Sequence, residues 1–170
     1  MLNPKIAKML NEQVNKELHS SYLYLDMANY YYDNNLNGFG NWFDVQTEEE
    51  KAHGLLFIQY LRNNGEKITL EAIDAPKFDF KNFKEPLDAA LQHEYYITSS
   101  INDIYAEAYA LKDFRTMQFL DWFVKEQAEE EMNSTDNIKK MELFGTDSKG
   151  LYMLDQEMGT RMYTAPSLVL

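Results

Sequence analysis

Glu50 and His53 stand three residues apart, with Glu17 well before them in the chain. In the second half Glu94 precedes Gln127 by the same interval that separates Glu17 from Glu50, and Gln127 and Glu130 are again three apart. One constant offset in sequence position carries Glu17 onto Glu94, Glu50 onto Gln127 and His53 onto Glu130, and also Leu10 onto Leu87 and Val14 onto Leu91. Carboxylates with an imidazole are ligands suited to hard or borderline divalent metals. A lone helical glutamate is ordinarily solvated surface, and a lone histidine is ordinarily a satisfied structural one. Six positions agreeing across two segments favour a ligand set over a polar core layer. Buried carboxylates without a partner take a proton or cost several kcal/mol, so a cluster of them calls for a cation.

Such a cluster needs elements to gather it, and the chain shows four long segments with the 3.5 to 3.6 residue period of bundle helices. The first is expected from Asn3-Pro4, a capping residue followed by a first-turn proline, to about Asp33. The second spans about 38–64 and stops at Gly65; the third runs from Glu85 to Leu111. The fourth follows a short break at Lys112-Asp113 and stops at Gly145, and a shorter amphipathic helix over about 147–162 presents Leu151, Leu154, Met158 and Met162 on one side. Every long helix has a mostly apolar seam interrupted near mid-length by ionisable or amide groups: Glu17; Gln46, Glu50 and His53; Glu94; Gln127 and Glu130. The i, i+3 spacing of Glu50 and His53 sets both on one helix face, the Glu-x-x-His unit of di-iron carboxylate bundles.

Connection lengths predict topology. Short links make hairpins of helices one and two and of helices three and four, whereas the long segment Gly65–Phe83 separates the hairpins. A helix of about 28 residues is ~42 Å long, and an extended chain covers that in roughly 12 to 13 residues, fewer than this segment holds. The expected fold is therefore all-α, a four-helix bundle with one long crossover between helices two and three and a short fifth helix.

Composition narrows the function classes. There are 170 residues, 16 Lys plus Arg against 28 Asp plus Glu, and a net charge of −12. That excess repels phosphates and attracts cations, which counts against nucleic acid as the partner and favours metal ions. Absence of Cys removes disulfides, thiolate metal sites and catalytic thiols. The longest stretches without Asp, Glu, Lys or Arg are Asn34–Phe43 and Ala52–Leu61, well short of the ~18 residues that span a bilayer, so no membrane partner is expected. The N-terminus lacks the apolar core of a signal peptide, and the expected location is the cytoplasm.

Over essentially its whole length the chain resembles the bacterial non-haem ferritins, on the helix order, the long crossover, the short fifth helix and the segments EEEKAHG (48–54), HEYYIT (93–98) and EQAEEE (126–131). The resemblance implies a single ferritin-like domain over 1–170, with the bundle at about 3–144, the short helix at 147–162 and a tail at 163–170. It also implies that Glu17, Glu50 and His53 bind one iron, that Glu50, Glu94 and Glu130 bind a second, and that Gln127 lines the site. Glu49, Glu126 and Glu129 would form a third iron position. Tyr24, two turns from Glu17 on the same face, is a candidate to hydrogen-bond a ligand carboxylate or donate an electron, and Trp122 is a weaker redox candidate. His19 and His93 adjoin the seam and are read as structural. Lys51 stands where bacterioferritins carry a haem-ligating Met, so no haem is expected. Met117 and Leu120 align with positions that are acidic in the three-fold pores of vertebrate ferritins.

The expected function is iron storage and detoxification. Two Fe(II) ions per subunit would each give an electron to O2 or peroxide, and ferric product would pass to a mineral inside a homo-oligomer of 24 subunits. Catalysis is thus assigned to Glu17, Glu50, His53, Glu94, Gln127, Glu130 and Tyr24. Two alternatives stay open: a di-iron oxidase or peroxidase of the same bundle class acting on another substrate, and a non-enzymatic bundle that buffers divalent metals.

Overall fold

The computed structural model describes residues 2–170. Five helices follow in order, α1 (Pro4–Asp33), α2 (Asn37–Asn63), α3 (Glu85–Ala110), α4 (Phe114–Phe144) and α5 (Ser148–Met158), and there is no strand among the described residues. Their ends have local causes. Asn3 Oδ1 accepts from the Lys5 amide at 2.9 Å with Pro4 opening α1. Asp113 accepts from the Thr116 amide at 3.1 Å, and Asp147 accepts from the Lys149 and Gly150 amides at 3.0 and 2.9 Å. Left-handed residues close three of the turns: Asn35 at φ 59°, Gly65 at φ 78° and Lys112 at φ 56°. Only Gly65 adopts this conformation without steric cost.

α1 packs along α2 and α3 along α4, and α1 also packs on α3, while the Cα atoms of α2 and α4 stay more than 8 Å apart. Long aromatic side chains fill that wider seam, with Phe57 against Phe119 and Phe123 and Tyr60 stacked on Phe119. The core divides into two apolar clusters. One holds Ile6, Leu10, Val14, Phe57, Leu61, Ile101 and Phe123; the other holds Met27, Tyr31, Phe39, Phe43, Leu87 and Met141. Each such side chain contributes ~1.5–3 kcal/mol on full burial. Between the clusters, at mid-height, lie the buried polar residues Gln13, Glu17, Gln46, Glu50, His53, Glu94, Gln127 and Glu130.

The crossover traverses the bundle as its length predicts. At its start Thr69 exchanges hydrogen bonds with Asn11, its amide donating to Oδ1 at 2.8 Å and its carbonyl accepting from Nδ2 at 3.0 Å. The Glu71 amide donates to Asn15 Oδ1 at 2.8 Å. At its end the Phe83 carbonyl accepts from Tyr31 Oη at 2.7 Å. From Asn11 to Tyr31 along α1 is ~30 Å, so α3 begins at the end of the bundle where α2 began and runs parallel to it.

α5 is fixed to the bundle by Asp155, which is 6% exposed and accepts from the Gly38 and Phe39 amides at 2.8 and 3.0 Å, capping α2. Gly38 permits this approach, since a Cβ there would lie 1.6 Å from the Asp155 carbonyl oxygen.

Two sequence expectations change. The fifth helix ends at Met158 rather than about 162, because Gly159 caps it and the chain turns toward α2; Met162 is 82% exposed instead of sharing the apolar side. Leu120, aligned with a pore position, is fully buried in the bundle core and lines no surface of the subunit.

Candidate metal centre

Four helices contribute to the polar layer. α1 supplies Glu17, α2 supplies Glu50 and His53, α3 supplies Glu94, and α4 supplies Gln127 and Glu130; none is more than 3% exposed. The two apolar clusters above and below confine the partners of these groups to one another and to the few polar side chains of the same layer. Glu17, Glu50 and His53 form the tightest set, each offering one ligand atom within 4.8 Å of the others. Glu17 Oε1 accepts from Gln13 Nε2 at 2.8 Å, but its Oε2 is buried with no hydrogen-bond partner. His53 Nδ1 is 3.7 Å from Glu50 Oε2, too far for a hydrogen bond and close enough for both atoms to reach one ion.

Glu94 and Glu130 lie at the same level but outside that tight set, and donors from neighbouring helices hold them. Glu94 Oε1 accepts from Tyr24 Oη, and its Oε2 accepts from Gln127 Nε2 at 3.0 Å. The Gln46 amide bridges the two halves, donating to Glu50 Oε1 at 3.2 Å and to Glu130 Oε2 at 2.9 Å.

The electrostatics follow from burying like charges together. Burial raises the Glu17 carboxyl well above the ordinary carboxylate range, and the nearby Glu50 adds to the rise. Glu50 is raised well above that range by burial and then by Glu94, and Glu130 by burial and then by Glu94 and Glu50. Glu94 is raised by burial, while its bonds from Tyr24 and Gln127 pull the other way. Burial and Glu94 raise the Tyr24 phenol, which therefore donates its proton and stays neutral. The shifts favour the protonated carboxyls, the direction that a bound cation would reverse.

The remaining candidates spread outward from this layer. Glu49 and Glu126 are half-buried and Glu129 is exposed, so this second group of acids opens to solvent on the α2/α4 side. Burial raises both Glu49 and Glu126, and each feels the charge of Arg161. Arg161 Nη2 donates to Glu49, and Nη1 donates to Gln46 Oε1 at 2.8 Å. The Trp122 ring meets His53 edge-on at 5.4 Å between centroids, and its Nε1 donates to Ser167 at 3.1 Å. Ser20 Oγ donates to the Lys16 carbonyl at 3.0 Å, which leaves it to accept from His93 Nε2 at 2.6 Å, a self-contained structural bond. Lys51 points outward, its side chain 56% exposed and 3.9 Å from Glu48.

The sequence pattern places Gln46 and Gln127 on the seam and offers Tyr24 as a partner for a carboxylate, but it does not single out Gln13 or give Gln46 its role. Gln13 and Gln46 each precede a site glutamate by four residues, an i, i+4 spacing that marks a helical amide-to-carboxylate bond. Ser100, which donates to Gln13 Oε1 at 2.6 Å, and Arg161, beyond the last helix, carry no periodic signal.

Comparison with known proteins agrees with this architecture. The bacterial non-heme ferritin of Campylobacter jejuni is 36% identical over 156 residues, 92% of this chain and 93% of its own. That of Staphylococcus saprophyticus is 34% identical over 163 residues, 96% of this chain and 98% of its own. Among solved structures, an engineered closed form of the Archaeoglobus fulgidus ferritin superposes with a TM-score of 0.94 at 35% identity, covering 96% of this chain and all of that one. The open-pore ferritin of the same archaeon superposes with a TM-score of 0.92 at 35% identity, over 95% of this chain and 98% of that one. A profile of the ferritin-like domain matches residues 7–144, the span of the four bundle helices that carry every residue of the buried layer, and the chain belongs to the ferritin family.

Proposed function

We propose that this chain is the subunit of an iron-storage shell and oxidises Fe(II) at a paired-metal site within its own bundle. The observation that carries the reading is the bare, buried Glu17 Oε2 beside Glu50 and His53, a set of three ligand atoms within 4.8 Å. Glu17, Glu50 and His53 hold the first Fe(II). Glu50 bridges to a second, which Glu94 and Glu130 take up, as one carboxylate can for ions ~3.5–4 Å apart. Gln127 holds Glu94, and Tyr24 orients it through its phenol. Each Fe(II) gives one electron, and O2 accepts the two electrons with two protons to leave as hydrogen peroxide; peroxide is the alternative oxidant. Ferric product then hydrolyses and passes to mineral.

Mostly oxygen ligands around the second ion favour transit over retention, which separates storage from catalysis by a fixed di-iron cofactor. Glu49, Glu126 and Glu129, open to solvent on the α2/α4 side, form a third iron position. The whole chain, 1–170, acts as one domain in the cytoplasm, without haem or nucleic acid; no described helix is long and apolar enough to cross a membrane.

Storage needs an enclosed volume, and 24 subunits enclose one. Tyr109, Phe114, Leu143 and Tyr152, each at least 65% exposed, supply apolar surface for such contacts. Aerobic loading with Fe(II) tests the reading. Retention of many more than three irons per subunit, in a particle sedimenting as a 24-mer, is expected. A stable 20 kDa monomer, or turnover that leaves two irons and no mineral, refutes storage.

A further inference from the structure

The segment after α5 contains one charged side chain, Arg161, and the bundle is built to receive it. Its guanidinium lies 4.2 Å from the centroid of the Trp42 ring and donates from Nη1 to the Trp42 carbonyl at 3.2 Å and to Gln46 Oε1 at 2.8 Å. Nη2 pairs with Glu49, and the side chain is only 20% exposed. From this anchor the chain runs along the seam where α2 and α4 stand apart. Ser167 meets Trp122, and Leu168 packs against the cluster of Phe57, Phe119 and Phe123. Arg161 therefore places a positive charge on the acid that the third iron position shares, and holds the tail across the seam.

We propose that Arg161 is the internal counter-cation of this face of the centre, a positioning residue that a third metal ion must displace from Glu49, releasing the segment 160–170 from the α2/α4 seam. The inference rests on the paired-metal reading, with Glu49 as a ligand of the third ion. A guanidinium and a divalent ion on one carboxylate repel each other, so a cation that takes Glu49 Oε2, the oxygen Arg161 now holds, weakens the charge-assisted contact among those that fix the tail. The same displacement withdraws a donor from Gln46, whose amide holds Glu50 and Glu130. Occupancy of the outer position is thereby transmitted to the inner pair.

Zn(II), which neither oxidises nor precipitates as a ferric mineral, probes this in the assembled metal-free protein. Calorimetry counts the ions, and hydrogen-exchange mass spectrometry follows peptides covering 160–170. In the wild type, two tight ions should leave tail exchange unchanged, and the third should raise it. Arg161→Gln should bind the third ion about tenfold more tightly, the size expected for a lost charge-assisted bond, with the tail unprotected before any metal is added. Arg161→Lys, which keeps the charge, should return the third-ion affinity most of the way to wild type. Glu49→Gln should lose the third ion and also free the tail. A third ion that binds the wild type while the tail stays protected overturns the proposal, as does an equal or weaker third ion in Arg161→Gln, or none in either protein. Fewer than two tight ions in the wild type overturns the paired-metal reading itself, and the proposal with it.

Discussion

The two hairpins place their polar residues at the same spacing, yet leave them in different states. In the first, Glu17 Oε2 has no hydrogen-bond donor facing it and His53 stands 3.7 Å from Glu50, so three ligand atoms lie close together with one of them bare. In the second, both oxygens of Glu94 accept hydrogen bonds, from Tyr24 and Gln127, and Glu130 accepts from Gln46. Neutral amides hold one oxygen each of Glu17 and Glu50 in the first hairpin, whereas in the second both oxygens of Glu94 are held. On the proposed reading the first ion binds into ready geometry, whereas the second must take Glu94 and Glu130 from donors that already hold them, and returns them on leaving.

The largest effects should come from the residue both positions share. Glu50→Ala is expected to lose both ions and reduce the initial Fe(II) oxidation burst at least about a hundredfold, beyond the 10–100-fold typical of outer-shell partners, whereas His53→Ala should weaken the first position most. Stopped-flow mixing at two Fe(II) per subunit reads both, and a wild-type burst in Glu50→Ala would collapse the distinction between the positions.

Next in size is the electrostatic cost of the layer without metal. The folded-state pKa values of Glu17, Glu50 and Glu130 lie above their unfolded ones, so the folded protein binds more protons. Stability of the metal-free protein is then greatest below the ordinary carboxylate range and falls as pH rises through the raised values. Glu17→Gln should stabilise it at neutral pH by about 1–4 kcal/mol, and divalent metal should remove the difference; thermal unfolding with and without Zn(II) measures this.

A smaller change sharpens the contrast. Tyr24→Phe removes one neutral donor from Glu94, worth ~1 kcal/mol net, and should tighten the second ion roughly fivefold with the first unchanged. Calorimetry showing equal changes at both positions would mean the hairpins are not distinguished by their donors. Smallest of all, Glu129→Ala should leave the initial burst within about twofold, because that side chain is exposed outside the buried layer, and should lower the metal count by one.

What the residue pattern could convey was whatever repeats along a helix. Glu17, Glu50, His53, Glu94, Gln127 and Glu130 share a seam because helical period places them there, and Gly65 and Pro4 mark ends through backbone preferences that act locally. Nothing periodic announces Arg161, which reaches Glu49 from an irregular segment far along the chain. Periodicity offers Tyr24 as a donor to some carboxylate of the seam but not that the carboxylate is Glu94, a contact between hairpins set by how two helices lean together. Met162 continues the apolar spacing of α5 but not the helix, since Gly159 ends it and the chain turns toward Trp42 and Gln46.

The crossover carries a consequence of another kind. Its beginning is stitched to Asn11 and Asn15 and its end to Tyr31, while residues 71–75 between them are exposed. That middle stretch contributes contour length and little cohesion. Each hairpin brings its own turn and half of the polar layer, and one constant shift in sequence position relates the halves. The chain therefore has the form of two hairpins related by one repeat and joined by a tether with slack to spare. Because the tether joins unlike halves, His53 in one can stand where Glu130 stands in the other, an asymmetry that a pair of identical hairpins would not have.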